Sequence, residues 1–189
     1  MPKAIGISGS PRRGGNSETL LRAALEGAQA AGADVEIVRL NELTYVGCQN
    51  CEACIQARRC TQDDDLADVL AKLPEADVWL LSSPIYFDSV SGQLKTFFDR
   101  CWCFIHKANR LRGRRSGAVI VAYGAGTCEF YQEVARRFAA YLPWFGKFDP
   151  VEVMAEANLG PPDAALQRPG LLDSARRLGK RLVESLSAA

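Results

Sequence analysis

Apolar positions along the chain alternate between two periods. Residues 3–8 form a short apolar run, the size of a buried strand. Leu20, Leu21, Ala24, Leu25 and Ala28 then recur at helical spacing until Gly32, and Val35, Ile37 and Val38 predict a second strand. A polar stretch follows, then a short helix on Leu66, Val69, Leu70 and Leu73 that stops before Pro74. Residues 78–81 predict a third strand and Leu94, Phe97, Phe98, Cys101, Trp102 and Ile105 a helix. A fourth strand at 118–122 leads to a helix on Phe130, Val134, Phe138 and Tyr141. Residues 148–154 predict a fifth strand, and Leu171, Leu172, Ala175, Leu178 and Leu182 a last helix.

Strands that alternate with helices imply a parallel sheet covered on both faces. Five of them suit an α/β, three-layer, doubly wound fold of flavodoxin-like order 2-1-3-4-5, in which ligands sit at the carboxyl ends of the strands near the switch point. The segments after strands one, three and four are therefore where a site is expected. Residues 1–189 predict one domain, with the Pro-rich 160–169 stretch as a surface loop.

Composition narrows the class. Of 189 residues, 48% are hydrophobic and 24% charged, an ordinary globular balance. A net charge of +1 gives no broad basic surface for nucleic acid or an anionic membrane. The opening Met1-Pro2-Lys3 and the short, Gly-broken apolar stretch after it do not make a secretory signal. The later apolar runs are too short to span a bilayer. These features predict a cytoplasmic protein.

The loop after strand one reads Ser8-Gly9-Ser10-Pro11-Arg12-Arg13-Gly14-Gly15-Asn16-Ser17. Glycines let backbone amides approach an anion, and the helix N-terminus that follows favours negative charge. Ser8, Ser10, Asn16 and Ser17 add donors, and Arg12 or Arg13 can neutralise charge. The loop lacks Gly-Lys-Ser/Thr and Gly-x-Gly-x-x-Gly, so neither the triphosphate nor the dinucleotide fingerprint is present. What remains is a pocket for one terminal phosphate; the plainer reading is a Gly/Ser turn in which Ser17 caps the helix.

Three stretches together resemble the NADPH-dependent FMN reductase family, over residues 1 to about 154. Gly9-Ser10-Pro11-Arg12 with Gly15-Asn16-Ser17 and Leu20 is similar to its phosphate loop. Ser83-Pro84-Ile85-Tyr86-Phe87 is similar to its ring-contacting loop, and the stretch from Ser89 to Arg100 to the helix after it. The resemblance implies that Ser10, Arg12, Asn16 and Ser17 hold an FMN phosphate and that Pro84, Ile85, Tyr86 and Phe87 line the ring. It also implies that Tyr123, Gly124, Ala125, Gly126 and Thr127 pass under the polar edge of the flavin, with NAD(P)H as reductant. A plainer reading of Tyr86 and Phe87 is as core aromatics.

Seven cysteines, an odd number without an export signal, argue against a disulfide framework. Cys48, Cys51, Cys54 and Cys60 form a compact run. Zinc knuckles use separated pairs, whereas this run is closer to a ferredoxin-like wrap. It resembles the iron–sulfur flavoprotein branch of the family, which implies one [4Fe–4S] cluster on these four residues. Arg58 and Arg59 stand where many relatives carry Gly. An empty thiol loop, a loop disulfide and structural zinc stay open beside the cluster. Thr61 and residues 63–65 are expected to cap and charge the next helix.

Other signals are smaller. His106, the only histidine, is expected at a helix end or facing solvent. Cys101 and Cys103 are expected to be buried, and Cys128 to open a helix with a lowered thiol pKa as an option. Arg110, Arg112, Arg114 and Arg115 make a solvated basic run that could also assist an NADPH phosphate. Three functions follow: an FMN-dependent NAD(P)H oxidoreductase acting on a quinone, flavin or similar acceptor; an electron carrier fed by ferredoxin; and a thiol/flavin redox sensor. Aromatics on more than one face of the 91–105 helix predict a homodimer or homotetramer.

Overall fold

The computed structural model describes residues 1–126 and 129–187. Its strands are β1 (Lys3–Ser8), β2 (Asp34–Arg39), β3 (Val78–Tyr86), β4 (Ser89–Val90), β5 (Leu111–Ala122) and β6 (Gly146–Glu156). The helices are α1 (Asn16–Ala30), α2 (Ala53–Ala57), α3 (Asp65–Lys72), α4 (Gly92–Arg100), α5 (Glu129–Ala139), α6 (Leu142–Phe145) and α7 (Pro169–Ser187). The long strands run parallel in the order β2-β1-β3-β5-β6, which is the expected 2-1-3-4-5 order. The sequence pattern missed β4, a two-residue strand that pairs antiparallel with the end of β3 and makes the sheet six-stranded. The architecture is flavodoxin-like.

Alternation along each central strand feeds two cores. Ile5, Ile7, Trp79, Leu81, Val119 and Val121 face the layer that includes α3, α4 and α5, while Ala4, Val78, Leu80, Ala118 and Ile120 face α1 and α7. Both faces are covered, so these strands read as near-continuous apolar runs. Helices α1 and α7 meet through glycine: a Cβ on Gly179 would lie 1.8 Å from the Ala24 carbonyl oxygen, and one on Gly27 would lie 1.9 Å from that of Arg176. No side chain fits at either point.

The expected 91–105 helix ends early. After Arg100 the chain tightens into a 3₁₀ turn over Cys101–Phe104. Continued α-helix would place Trp102 on the same face as Phe98, four residues earlier. The tighter turn instead buries Cys101, Cys103 and Phe104 and leaves Trp102 43% exposed. Among the described residues no helix is long and apolar enough to cross a membrane. The arginine run forms the expected solvated face only in part: Arg110 and Arg112 are exposed, Arg114 is half-buried and Arg115 is buried. The Arg115 guanidinium is buried and donates to the carbonyls of Ala76, Pro74, Gly113 and Arg112, and Arg114 to those of Asp149 and Ser185.

Candidate functional site

At the carboxyl ends of β1, β3 and β5 the chain leaves a cleft of about 210 Å³. Its lining includes Ser10, Arg12, Gly15, Asn16 and Ser17 from the first loop, and Pro84, Ile85 and Tyr86 from the end of β3. Ala122, Tyr123 and Gly124 come from the end of β5, and Leu159 and Gly160 from the loop after β6.

The first loop is built to present donors. Ser10 Oγ donates to the Arg12 carbonyl at 2.8 Å and accepts from the Arg12 amide at 3.1 Å. Gly15 is the N-cap of α1, so no side chain occupies the capping position and Ser17 is not the cap. A Cβ on Gly15 would stand 2.8 Å from Ser10 Oγ, so the tight loop requires glycine there. Gly14 takes a positive φ of 68°, and its amide reaches the buried Glu18 carboxylate at 3.4 Å. That carboxylate is also paired with Arg22 and Arg39. Arg13 pairs with Glu42. The exposed Arg12 forms no ion pair among the described residues, and it is the cation left to the cleft.

Asn16 behaves differently from expectation. Its Nδ2 donates to the carbonyls of Leu159 and Pro161, both at 2.8 Å, and its Oδ1 accepts from the Ala165 amide at 2.9 Å. The side chain therefore pins the loop after β6 onto the cleft, which Asn16 itself also lines. Ser8 is buried below the lining, where its Oγ accepts from the Ser10 amide at 3.4 Å. Phe87 is also displaced from its expected place. With Asp88 it forms the tight turn between β3 and β4, at φ 44° and 59°, and it points fully into solvent at 105% exposure. The two-residue hairpin turn takes left-handed backbone at both positions, and Phe87 is not among the residues that line the cleft.

Gly124 borders the cleft, and a Cβ there would come within 3.1 Å of Gly160 Cα. Ala125 and Gly126 are exposed beyond it, with the Ala125 carbonyl accepting from the Asn158 amide at 2.9 Å. The expectations for Thr127 and Cys128 lie outside the described residues. The sequence reading missed Ala122, Leu159 and Gly160; for the last two no local motif signals a loop that is placed by Asn16, far away in the chain. Arg114 and Arg115 lie near the opposite end of β5, roughly 25 Å from Ala122 at about 3.3 Å per residue, so they do not serve this cleft.

A second feature surrounds the cysteine run. Cys48, Cys51, Cys54 and Cys60 all border one small cavity of about 20 Å³, walled also by Arg100, Trp102 and Cys103. Cys48 and Cys51 are exposed, Cys54 is buried and Cys60 half-buried. Among the described residues no three His, Cys, Asp or Glu side chains stand ready to hold one metal ion. Four cysteines bordering one cavity supply the thiolate donor set that a [4Fe–4S] cluster takes, and zinc takes the same donors.

Non-glycine residues adopt left-handed backbone through this loop, Asn50 at φ 50°, Glu52 at 58° and Arg58 at 56°. Asn109 donates to the Cys54 carbonyl at 2.8 Å. Cys101 and Cys103 are buried as expected, and burial pushes the Cys103 thiol up to about 12. His106 is half-buried rather than solvent-facing, with its ring edge-on to Trp102 at 5.8 Å.

The model of the NADPH-dependent FMN reductase family matches residues 2–146. The chain belongs to this family, whose cofactor is FMN. Among curated proteins it is 34% identical over 187 residues to an iron-sulfur flavoprotein of Methanocaldococcus jannaschii, covering 96% of each. It is 36% identical over 127 residues to an iron-sulfur flavoprotein of Archaeoglobus fulgidus. That match covers 67% of this chain and spans only 57% of the relative's length. Among solved structures, an NAD(P)H:quinone oxidoreductase from Methanothermobacter marburgensis superposes with a TM-score of 0.71 at 19% identity, covering 96% of both chains.

The cleft residues fit FMN. The uncapped first turn of α1, the Ser17 hydroxyl and Arg12, which forms no ion pair among the described residues, suit a dianionic phosphate. Pro84, Ile85 and the 49% exposed Tyr86 form an apolar side at the open mouth.

Proposed function

We propose that this chain is a single-domain, FMN-dependent NAD(P)H oxidoreductase that passes electrons to a quinone, flavin or similar small acceptor. The observation that carries this reading is one cleft in which the 10–17 loop, residues 84–86 and Gly124 meet at the carboxyl ends of three neighbouring strands. Bound FMN would supply a ring that takes a hydride from NAD(P)H and releases electrons to the acceptor.

The chain's own part is binding and exclusion. Ser10, Ser17, Arg12 and the first-turn amides of α1, including that of Asn16, hold the phosphate. Pro84, Ile85 and Tyr86 flank the ring, and the Gly124 turn meets its polar edge. Among the described residues, the titratable ones that border the cleft are Arg12, Tyr86 and Tyr123. At about 210 Å³ the cleft is below the ~300–1,000 Å³ usual for a site that encloses a whole ligand. That suits an enclosed phosphate end and a ring left open to two successive substrates. The test is anaerobic addition of NADPH to the FMN-loaded protein. Bleaching of the flavin absorbance, recovered on adding a quinone, supports the reading; an unreduced flavin contradicts it.

A second reading is favoured by the four cysteines around one cavity and by the iron-sulfur flavoprotein relatives. In it, Cys48, Cys51, Cys54 and Cys60 hold a [4Fe–4S] cluster that exchanges single electrons with a donor such as ferredoxin. Anaerobic iron and labile-sulfide analysis decides between the two. The free cysteines Cys48, Cys51, Cys54, Cys60, Cys101 and Cys103 suit a reducing cytoplasm.

For assembly we favour a homodimer or homotetramer. A groove of about 460 Å³ between α4, α6 and the cysteine loop is lined by Phe98, Trp102, Tyr141 and Trp144, with Trp102 and Trp144 43% and 58% exposed. Light scattering at micromolar concentration is expected to exceed the 20.6 kDa of one chain; a stable monomer contradicts this assembly.

A further inference from the structure

Arg100 is the unusual residue of the cysteine pocket. Its side chain is wholly buried, yet arginine is among the side chains least often found so. Two of its nitrogens are occupied: Nη1 donates to Asp64 Oδ2 at 2.6 Å and to the Val46 carbonyl at 2.8 Å, and Nη2 donates to Asp64 Oδ1 at 3.0 Å. Nε is also buried and has no hydrogen-bond partner among the described residues. A buried donor left unmade costs free energy, so a satisfied state is expected somewhere in the working protein. Arg100 walls the same cavity as the four cysteines.

We infer that Arg100 is a positioning residue for the group held by Cys48, Cys51, Cys54 and Cys60: its free Nε–H donates to a sulfur of that group, and its charge favours the more negative redox state. The inference rests on the cluster reading. Each one-electron reduction adds one negative charge to a thiolate-bound cluster, the electron coming from dithionite in a titration or from reduced FMN in the protein. A fixed cation beside the group stabilises the added charge and raises the reduction potential. Asp64 has the opposite effect, since it screens Arg100 while anchoring it.

The two residues therefore predict shifts of opposite sign, which a merely structural role does not produce. The experiment is an anaerobic dithionite titration of the FMN-loaded, cluster-reconstituted protein, with the cluster potential read by electron paramagnetic resonance and FMN content used to confirm folding. Arg100→Met is expected to lower the potential and Asp64→Asn to raise it, with Arg100→Lys between Arg100→Met and the parent. If Arg100→Met does not fold, Arg100→Lys and Asp64→Asn still carry opposite expected shifts. Folded variants that all keep the parent potential overturn the role of Arg100 alone. A parent protein that takes up no iron or sulfide overturns the cluster reading and this inference with it, and it is a different result from equal potentials.

Discussion

Asn16 Nδ2 and the Leu159 carbonyl oxygen stand 2.8 Å apart, a hydrogen bond between the first turn of α1 and the loop after the last strand. Asn16 thus acts on the cleft through the loop that it holds. Asn16→Ala removes three hydrogen bonds made by one side chain, with typical net values of about 0.5–1.5 kcal/mol each. FMN affinity is expected to fall about tenfold, and limited proteolysis to speed up at 157–165. Weakened FMN binding with unchanged proteolysis would mean that the side chain meets the phosphate directly.

Phe87 gives a converse expectation. A bulky residue in left-handed backbone costs roughly 1–2 kcal/mol relative to glycine, and Phe87 is not among the residues that line the cleft. Phe87→Gly is expected to stabilise the protein by about 1 kcal/mol in urea denaturation while leaving the FMN dissociation constant unchanged. A large loss of affinity would return Phe87 to the ring.

Much of this was legible from the residues. Val78 and Trp79 on successive positions feed opposite cores, and that continuous apolar run announces a strand covered on both sides. That Ser10, Arg12 and Ser17 line the cleft was legible because the loop after strand one lies at the carboxyl ends of the strands. Phe87 was not, because its direction depends on β4, whose two residues are too few for any period. Asn16 and Leu159 were joined by tertiary structure, which no spacing along the chain encodes. Arg115 looked like surface charge, but the carbonyls of Pro74 and Ala76 give it a buried cap.

The α1–α7 contact sets a stability expectation. Gly179→Ala forces a methyl to within 1.8 Å of the Ala24 carbonyl oxygen, so the helices must part. Overpacking of this kind costs about 1–3 kcal/mol, which for a chain of this length lowers Tm by roughly 2–4 °C per kcal/mol. Thermal denaturation followed by circular dichroism is expected to show the drop, with FMN affinity in the surviving folded fraction unaltered. An unchanged Tm would contradict the close packing.

Acid should weaken the Asp64–Arg100 pair. The hydrogen bond from Arg100 holds the Asp64 carboxyl below its ordinary value, although burial works the other way. A depressed folded pKa contributes stability that is fully present above the unfolded value of about 3.9 and is lost as pH falls through the folded one. Removing one partner of a buried pair costs about 3–5 kcal/mol. The stability gap between the metal-free parent and Asp64→Asn is therefore expected to be several kcal/mol at pH 7, by the same rule, and to narrow below about pH 4. A gap that stays constant with pH would contradict the pairing.

The phosphate end of the cleft is the heart of the account, and comparing FMN with riboflavin tests it most directly, since the two differ only by that phosphate. Fluorescence titration of the flavin-free protein is expected to give equimolar FMN binding, with riboflavin weaker by about 100-fold, from charge-assisted contacts of about 1.5–3 kcal/mol each. Arg12→Ala should remove about tenfold of the FMN preference and flatten its dependence on salt, leaving riboflavin binding unchanged. Equal affinity for the two flavins, or binding of neither, would contradict the assignment of the 10–17 loop as the phosphate site.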